Sequence, residues 1–305
     1  MKRGIAAVGA GMSLASVVLL AGLKIFGVAW AATALQAATP ETVKLQKSAS
    51  QSITPKVFVP HHGIPAPPGS TLKILYSGYQ FRSAATKAMQ DDDFSNPGML
   101  ALDPASAEWS HVEGTAGKSC ASCHQDASKT MHGVGATYPK WNARLKRPVS
   151  LEQQINLCRT GRMGAKPWAF KSENLTNMTT YIRYQSRGLP VKVQTNGPMT
   201  PWYDKGKKLY NTRIGQLDMS CANCHDTYFG HHIRADMLSQ GQINDFPTYR
   251  EKAQHLVPVE QRFIGCMKNV RAKPYKPFSD EFLALELYVA SRGNGLKIET
   301  PGVRN

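Results

Sequence analysis

Two segments carry apolar residues at helical spacing. In SDEFLALELYVASRGNG (279–295), Phe282, Leu285 and Val289 fall on one face. Ser279 stands at the N-cap position, acids fill the first turn, and Arg292–Gly293 close the run, so a helix is predicted there. SENLTNMTTYIRYQSRG (172–188) has the same form, with Ser172, Leu175, Met178, Ile182 and Gly188 in matching roles. Both stripes predict core packing. No stretch alternates apolar and polar residues over the length of an ordinary strand, so the predicted class is all-α. The N-terminus follows another pattern. Lys2 and Arg3 precede an apolar run, and small residues flank Trp30 and Thr33 and recur near Ala37, which predicts a cleaved export leader over 1–37. The alternative is an uncleaved anchor, since about 20 residues separate Arg3 from Lys24, a borderline spanning length. No later segment is long and apolar enough to cross a bilayer. Residues 38–70 are polar and Pro-rich and predict an extended arm.

The remainder repeats. YPKWNARLKRPVSLEQQINLC (138–158) aligns without a gap with FPTYREKAQHLVPVEQRFIGC (246–266). Tyr138 answers Phe246, Pro139 answers Pro247, Val149 answers Val257, Glu152-Gln153 answer Glu260-Gln261, and Cys158 answers Cys266. Further on, AKPW (165–168) answers AKPY (272–275). Two tandem, duplicated domains of roughly 100 residues are expected, over 71–195 and 196–305.

Charge adds one constraint. The chain has a formal net charge of +16, and losing Lys2, Arg3 and Lys24 with the leader leaves +13. An exported basic protein suits an anionic substrate or partner. The chain has no nucleic-acid-binding motif, and export argues against that partner. Part of the excess also offsets the carboxylates of a bound haem. The acidic DDDF (91–94) reads as a solvated turn or a partner contact.

The cysteines carry the chemistry. Four of the six lie in CASCH (Cys120, Cys123, His124) and CANCH (Cys221, Cys224, His225). CxxCH attaches c-type haem: the cysteines form thioethers and the histidine binds the iron. Zinc would need a second ligand pair at close spacing, and a redox dithiol would need a βαβ setting. Two covalent haems c are therefore expected, with His124 and His225 as iron ligands. Met131, Met163, Met267, His132, His231 and His232 could fill the sixth position, but none recurs in both halves. The spare cysteines do recur. Cys158 and Cys266 are thus expected as axial ligands, which would favour ferric iron and low potentials. A Cys158–Cys266 disulfide is the alternative in an oxidising compartment. Around these sulfurs the halves differ. Gln154 stands four residues before Cys158, whereas Arg262 stands four before Cys266, with Lys268 and Arg271 close behind. An arginine one helical turn from a sulfur can lower its pKa and hold an anion. The second half is expected to be the reactive one.

MQDDDFSNPGMLALD (89–103), CASCH, INLCRTGRM (155–163), CANCHD, QRFIGCMKNVRAKPY (261–275) and LALELYVASRGNGLKIETPGVR (283–304) together resemble SoxA, the dihaem subunit of the SoxAX cytochrome of bacterial sulfur oxidation. The resemblance runs from about residue 70 to the end. The family also has members with one haem motif, whereas this chain keeps both. The resemblance implies an L-cysteine S-thiosulfotransferase that works in the periplasm with a SoxX cytochrome. It would couple thiosulfate oxidatively to a cysteine of the SoxYZ carrier. It also implies that Cys266 is both haem ligand and catalytic sulfur, often a persulfide in this family, that Arg262 is the active-site arginine, and that Cys158 is the first-domain ligand. The N-terminal arm and the INLCRTGRMG stretch are less typical of the family. Three rivals stand beside this: a thiosulfate dehydrogenase forming tetrathionate, a dihaem electron carrier without a substrate site, and a dihaem peroxidase, against which a cysteine in each half counts.

Overall fold

The computed structural model describes residues 63–305. The expected leader and residues 38–62 of the expected arm lie outside the described residues. All the described residues fall within one compact unit.

Strands β1 (Ile64–Pro65) and β2 (Ile74–Leu75) pair antiparallel, and α1 (Ala84–Asp91) follows. Next come α2 (Leu102–Ser110), α3 (Cys120–His124) and α4 (Ala127–Thr130). A hairpin of β3 (Lys140–Asn142) and β4 (Arg147–Val149) leads into α5 (Leu151–Cys158) and α6 (Glu173–Tyr184). The second half opens with α7 (Thr200–Asn211) and the hairpin β5 (His232–Ile233) and β6 (Asp236–Met237). The hairpin β7 (Thr248–Arg250) and β8 (His255–Val257) then leads into α8 (Val259–Asn269) and α9 (Asp280–Arg292). Strand β9 (Gly302–Arg304) closes the chain parallel to β7.

The helices carry the core as expected. Phe282, Leu285 and Val289 are buried on α9, as are Leu175, Met178 and Ile182 on α6. Both predicted caps form: the Ser279 hydroxyl accepts from the Phe282 N–H and the Ser172 hydroxyl from the Leu175 N–H, each at 3.4 Å. The expectation of an all-α fold needs correction. Among the described residues four small sheets of two or three strands accompany the helices. Strands of two or three residues are too short to display alternation, so the pattern could not reveal them. The aligned segments adopt matching structure. Lys140 pairs with Val149 in one hairpin and Thr248 with Val257 in the other, and a helix ending in or passing through a cysteine follows each.

Residues 71–101, expected at the start of the first domain, lie against the second half. The Tyr76 N–H donates to Gln240 Oε1 at 2.8 Å, the Val303 N–H to Gln90 Oε1 at 2.9 Å, and Asn96 Nδ2 to the Pro301 carbonyl at 2.9 Å. The halves also meet at Phe170 and Phe278, whose rings stand edge to face with centroids 5.5 Å apart. The matched acids Glu152 and Glu260 line a small cavity beside them. Glu260 Oε2 accepts from the Phe278 N–H at 2.8 Å, while the buried Oε1 has no hydrogen-bond partner among the described residues. Burial, with Glu152 adding to it against the Phe278 N–H, pushes the Glu260 carboxyl up to about 8 from an ordinary 4.5. The folded state therefore binds this proton more tightly than the unfolded chain. Its stabilising effect is full below about pH 4.5 and is lost as pH rises through about 8. Glu260→Gln is expected to flatten this part of the pH profile. Melting temperatures of both proteins at pH 5 and pH 9 test it, and parallel declines would exclude Glu260 as the source.

Candidate haem and sulfur site

In both halves the loop before CxxCH docks on the chain just past the spare cysteine. Gly114 (φ +74°) and Gly215 (φ +71°) occupy the left-handed region, and a Cβ on either would stand 2.2 Å and 2.1 Å from the Met163 and Val270 carbonyl oxygens. Only glycine fits such an approach. The docked loops are held by backbone bonds, Ala116 to Met163 at 3.0 Å and Leu217 to Val270 at 3.3 Å. This contact brings each CxxCH to a cysteine far away in sequence.

Ser119 caps α3 reciprocally with Ser122, which starts the first CxxCH as a helical turn. His124 ends that turn with its ring 5.8 Å from Trp109. Cys158 closes α5, and Gln154 Nε2 donates to its sulfur at 3.3 Å. Burial pushes the Cys120 thiol up to about 11, with Arg159 acting against it and Cys158 adding to it. Arg159 is buried: it pairs with Glu113 and lies over the Trp168 ring at 3.6 Å.

In the second half the Ser220 N–H donates to Asn223 Oδ1 at 2.8 Å, and a π turn over Asn223–Thr227 carries His225. Single π turns often mark functional sites. His225 Nδ1 donates to the Ser239 carbonyl at 2.8 Å, which leaves Nε2 as the ligating nitrogen. Gly241 (φ +72°) lies flat on this ring, where a Cβ would come within 2.8 Å. The Cys266 sulfur faces His225 and shares a hydrogen bond with it. Burial alone would raise this thiol, but Arg262, His225 and Arg250 outweigh it and bring it down to about 7. Cys221 goes the other way, up to about 12, through burial and the neighbouring Cys266. Burial and Cys266 also raise Cys224. Among the second-half cysteines, positive groups thus gather around Cys266 and not around the CxxCH pair.

The expected residues gather as two sets. Cys120 and Cys158 are neighbours in the first half, where His124 completes the CASCH turn. Cys221, Cys224, His225, Arg262 and Cys266 gather in the second. Each spare cysteine lies with the CxxCH of its own half, Cys158 beside Cys120 and Cys266 beside Cys221, Cys224 and His225, which leaves the Cys158–Cys266 disulfide without support. Met131, Met163 and Met267 are packed into the interior, while His132, His231 and His232 are exposed. Among the described residues no three His, Cys, Asp or Glu side chains are arranged as ligands for a bare metal ion. The donors suit haem c instead: a thiol pair for thioethers, an imidazole oriented through Nδ1, and a sulfur facing that imidazole. Sequence reasoning missed Arg250. Its signal was present, because the ungapped repeat places Arg250 opposite Asn142.

The family model for the SoxA/TsdA cytochrome c domain matches residues 104–191 and 205–298. The L-cysteine S-thiosulfotransferase subunit SoxA of Pseudaminobacter salicylatoxidans is 51% identical, covering 78% of this chain and 84% of its own length. That of Rhodovulum sulfidophilum is 50% identical, covering 76% and 80%. The crystal structure of SoxXA from P. pantotrophus superposes with a TM-score of 0.76 at 46% identity, over 79% of this chain and 92% of that one.

Proposed function

The chain belongs to the SoxA/TsdA cytochrome c family, and on that premise we propose that it is the SoxA subunit of an L-cysteine S-thiosulfotransferase. It joins thiosulfate oxidatively to a cysteine of a SoxYZ-type carrier in the periplasm. It works with a SoxX-type cytochrome, as the likeness to SoxXA suggests. The observation that carries this reading is the placement of Arg262, His225 and Arg250 around the Cys266 sulfur, next to the CxxCH cysteines Cys221 and Cys224.

Two haems c fit the chain. Cys120 and Cys123 would hold one, with His124 and Cys158 as iron ligands. Cys221 and Cys224 would hold the other, with His225 and Cys266. Bound there, each haem supplies a one-electron acceptor. The domains over 71–195 and 196–305 follow these two sets rather than the packing, since residues 71–101 lie against the second half.

The residues divide the work. Arg262 holds the thiosulfate dianion. The Cys266 sulfur, or the outer sulfur of its persulfide, bonds to the outer sulfur of thiosulfate. That bond releases two electrons, so two one-electron acceptors are required. The carrier thiolate then attacks the sulfur that came from thiosulfate. Carrier–S–S–SO3⁻ leaves and the Cys266 sulfur is regenerated as a thiolate. The whole reaction releases two electrons and the carrier's thiol proton. The net charge of +16, or +13 without the leader's Lys2, Arg3 and Lys24, suits an anionic substrate.

Tetrathionate formation is the second reading, because the matching family model spans TsdA as well as SoxA. Thiosulfate oxidation by the haem-loaded protein with its SoxX partner, run with and without the carrier, separates them. Turnover only with carrier is expected. Tetrathionate without carrier would move the assignment to a thiosulfate dehydrogenase.

A further inference from the structure

The two halves use matched positions differently. In the first half Asn142 Oδ1 accepts from the Leu145 N–H at 3.0 Å, and Gln154 donates to Cys158. Both amides are spent locally. Their counterparts in the second half are Arg250 and Arg262. Neither guanidinium makes a hydrogen bond or ion pair to another side chain among the described residues, yet both charges act on the Cys266 sulfur.

The fold holds Arg250 there. It ends β7, paired with His255 of β8 on one side and Arg304 of β9 on the other. Asp236, on the neighbouring β5–β6 hairpin, lies close to both Arg250 and Arg262. Lys252 Nζ engages Asp236 Oδ1 at 2.8 Å. Lys252, Arg250 and Arg262 against one carboxylate leave two positive charges, the complement of a dianion. Behind them Arg82 donates to the Met237 carbonyl at 2.5 Å, and Arg304 is paired with Asp245 at 3.1 Å. These two are engaged elsewhere.

We propose that Arg250 is a second substrate-binding residue, which with Arg262 forms a two-guanidinium clamp for the sulfonate oxygens of thiosulfate beside Cys266. The inference rests on the thiosulfate reading above and extends it. Planar guanidinium groups suit oxyanions because each offers paired donors. Burial and Arg262 lower Arg250 only to about 10, so it stays charged at neutral pH. A role toward haem carboxylates fits less well. Haem carboxylates would be present in both halves, and the arginines stand only in the second.

The test uses the haem-loaded complex with its SoxX partner. Arg250→Gln and Arg250→Lys are compared with native protein and with Arg213→Gln, which removes only an exposed ion pair to Asp218. Steady-state kinetics gives KM for thiosulfate and for the carrier, calorimetry gives the thiosulfate Kd, and the visible spectrum reports the haem site. Arg250→Gln is expected to raise both KM and Kd for thiosulfate about tenfold or more, as for one lost charged hydrogen-bonding partner. KM for the carrier and the spectrum should hold, and Arg250→Lys should recover part of the loss. Unchanged thiosulfate KM and Kd in Arg250→Gln would overturn the clamp. A shifted spectrum with unchanged Kd would overturn it in favour of a haem carboxylate contact. If native protein binds thiosulfate but does not turn over with carrier, the function is wrong, and the clamp stands only if Arg250→Gln still weakens binding. Native protein that does not bind thiosulfate overturns both.

Discussion

Cys266→Ala is expected to lower carrier-dependent thiosulfate oxidation by about a thousandfold or more, the scale seen when a covalent nucleophile is removed. The expectation rests on how differently this chain treats its sulfurs. At Cys221 and Cys224 burial and the neighbouring Cys266 both act to raise the thiol. Cys158 sits under a neutral amide. Cys266 alone gathers two guanidinium charges and an imidazole, so its sulfur is the one prepared to carry negative charge. Cys158→Ala is the informative companion. It removes the matched sulfur from the half without arginines, so its visible spectrum should change while turnover falls far less. Rates for the two variants, each with its haem content measured, decide the matter. Cys266→Ala retaining a tenth of native turnover would remove the covalent role and leave Cys266 as a ligand only.

Arg292→Leu should cost about 3–5 kcal/mol of stability, because it leaves a buried carboxylate without its cation. Arg292 comes from the end of α9 and pairs with Asp226, the residue after His225. The Arg292 and Asp226 side chains are only 8% and 11% exposed, so water cannot replace the lost partner. Arg292 Nη1 also donates to the Gln240 carbonyl at 3.0 Å, and its guanidinium lies 4.5 Å from the Tyr210 ring centre. Tyr210 donates its hydroxyl to Asp226 at 2.8 Å. One ion pair thus ties α7, α9 and the His225 turn together. For a body of this size the loss corresponds to a melting temperature roughly 10 °C lower. Asp226→Asn combined with Arg292→Leu should recover much of it, since no unpaired charge then remains. A loss under about 1 kcal/mol in the single variant would show that the pair is not effectively buried.

The sequence by itself determined what depends on near neighbours. A serine cap acts within three residues, so the starts of α6 and α9 could be read at Ser172 and Ser279. A helical stripe depends only on spacing, and the residues of both stripes are buried. CxxCH declares itself because its chemistry needs adjacent residues, and the ungapped repeat paired Cys158 with Cys266. Tertiary structure decided the rest. The all-α expectation failed at strands of two or three residues, whose existence depends on a partner strand rather than on a pattern. Residues 71–101 joined the second half through bonds to Gln240, Pro301 and Val303, partners that follow them by some 160 to 210 residues. The choice between a disulfide and two separate sulfurs turned on Gly114 and Gly215, which dock each CxxCH against its own half's cysteine helix. The positive surroundings of Cys266 come from Arg262 one turn away but also from His225 and Arg250 on other elements. Charges act through space, so only the folded chain could show which of them meet at one sulfur.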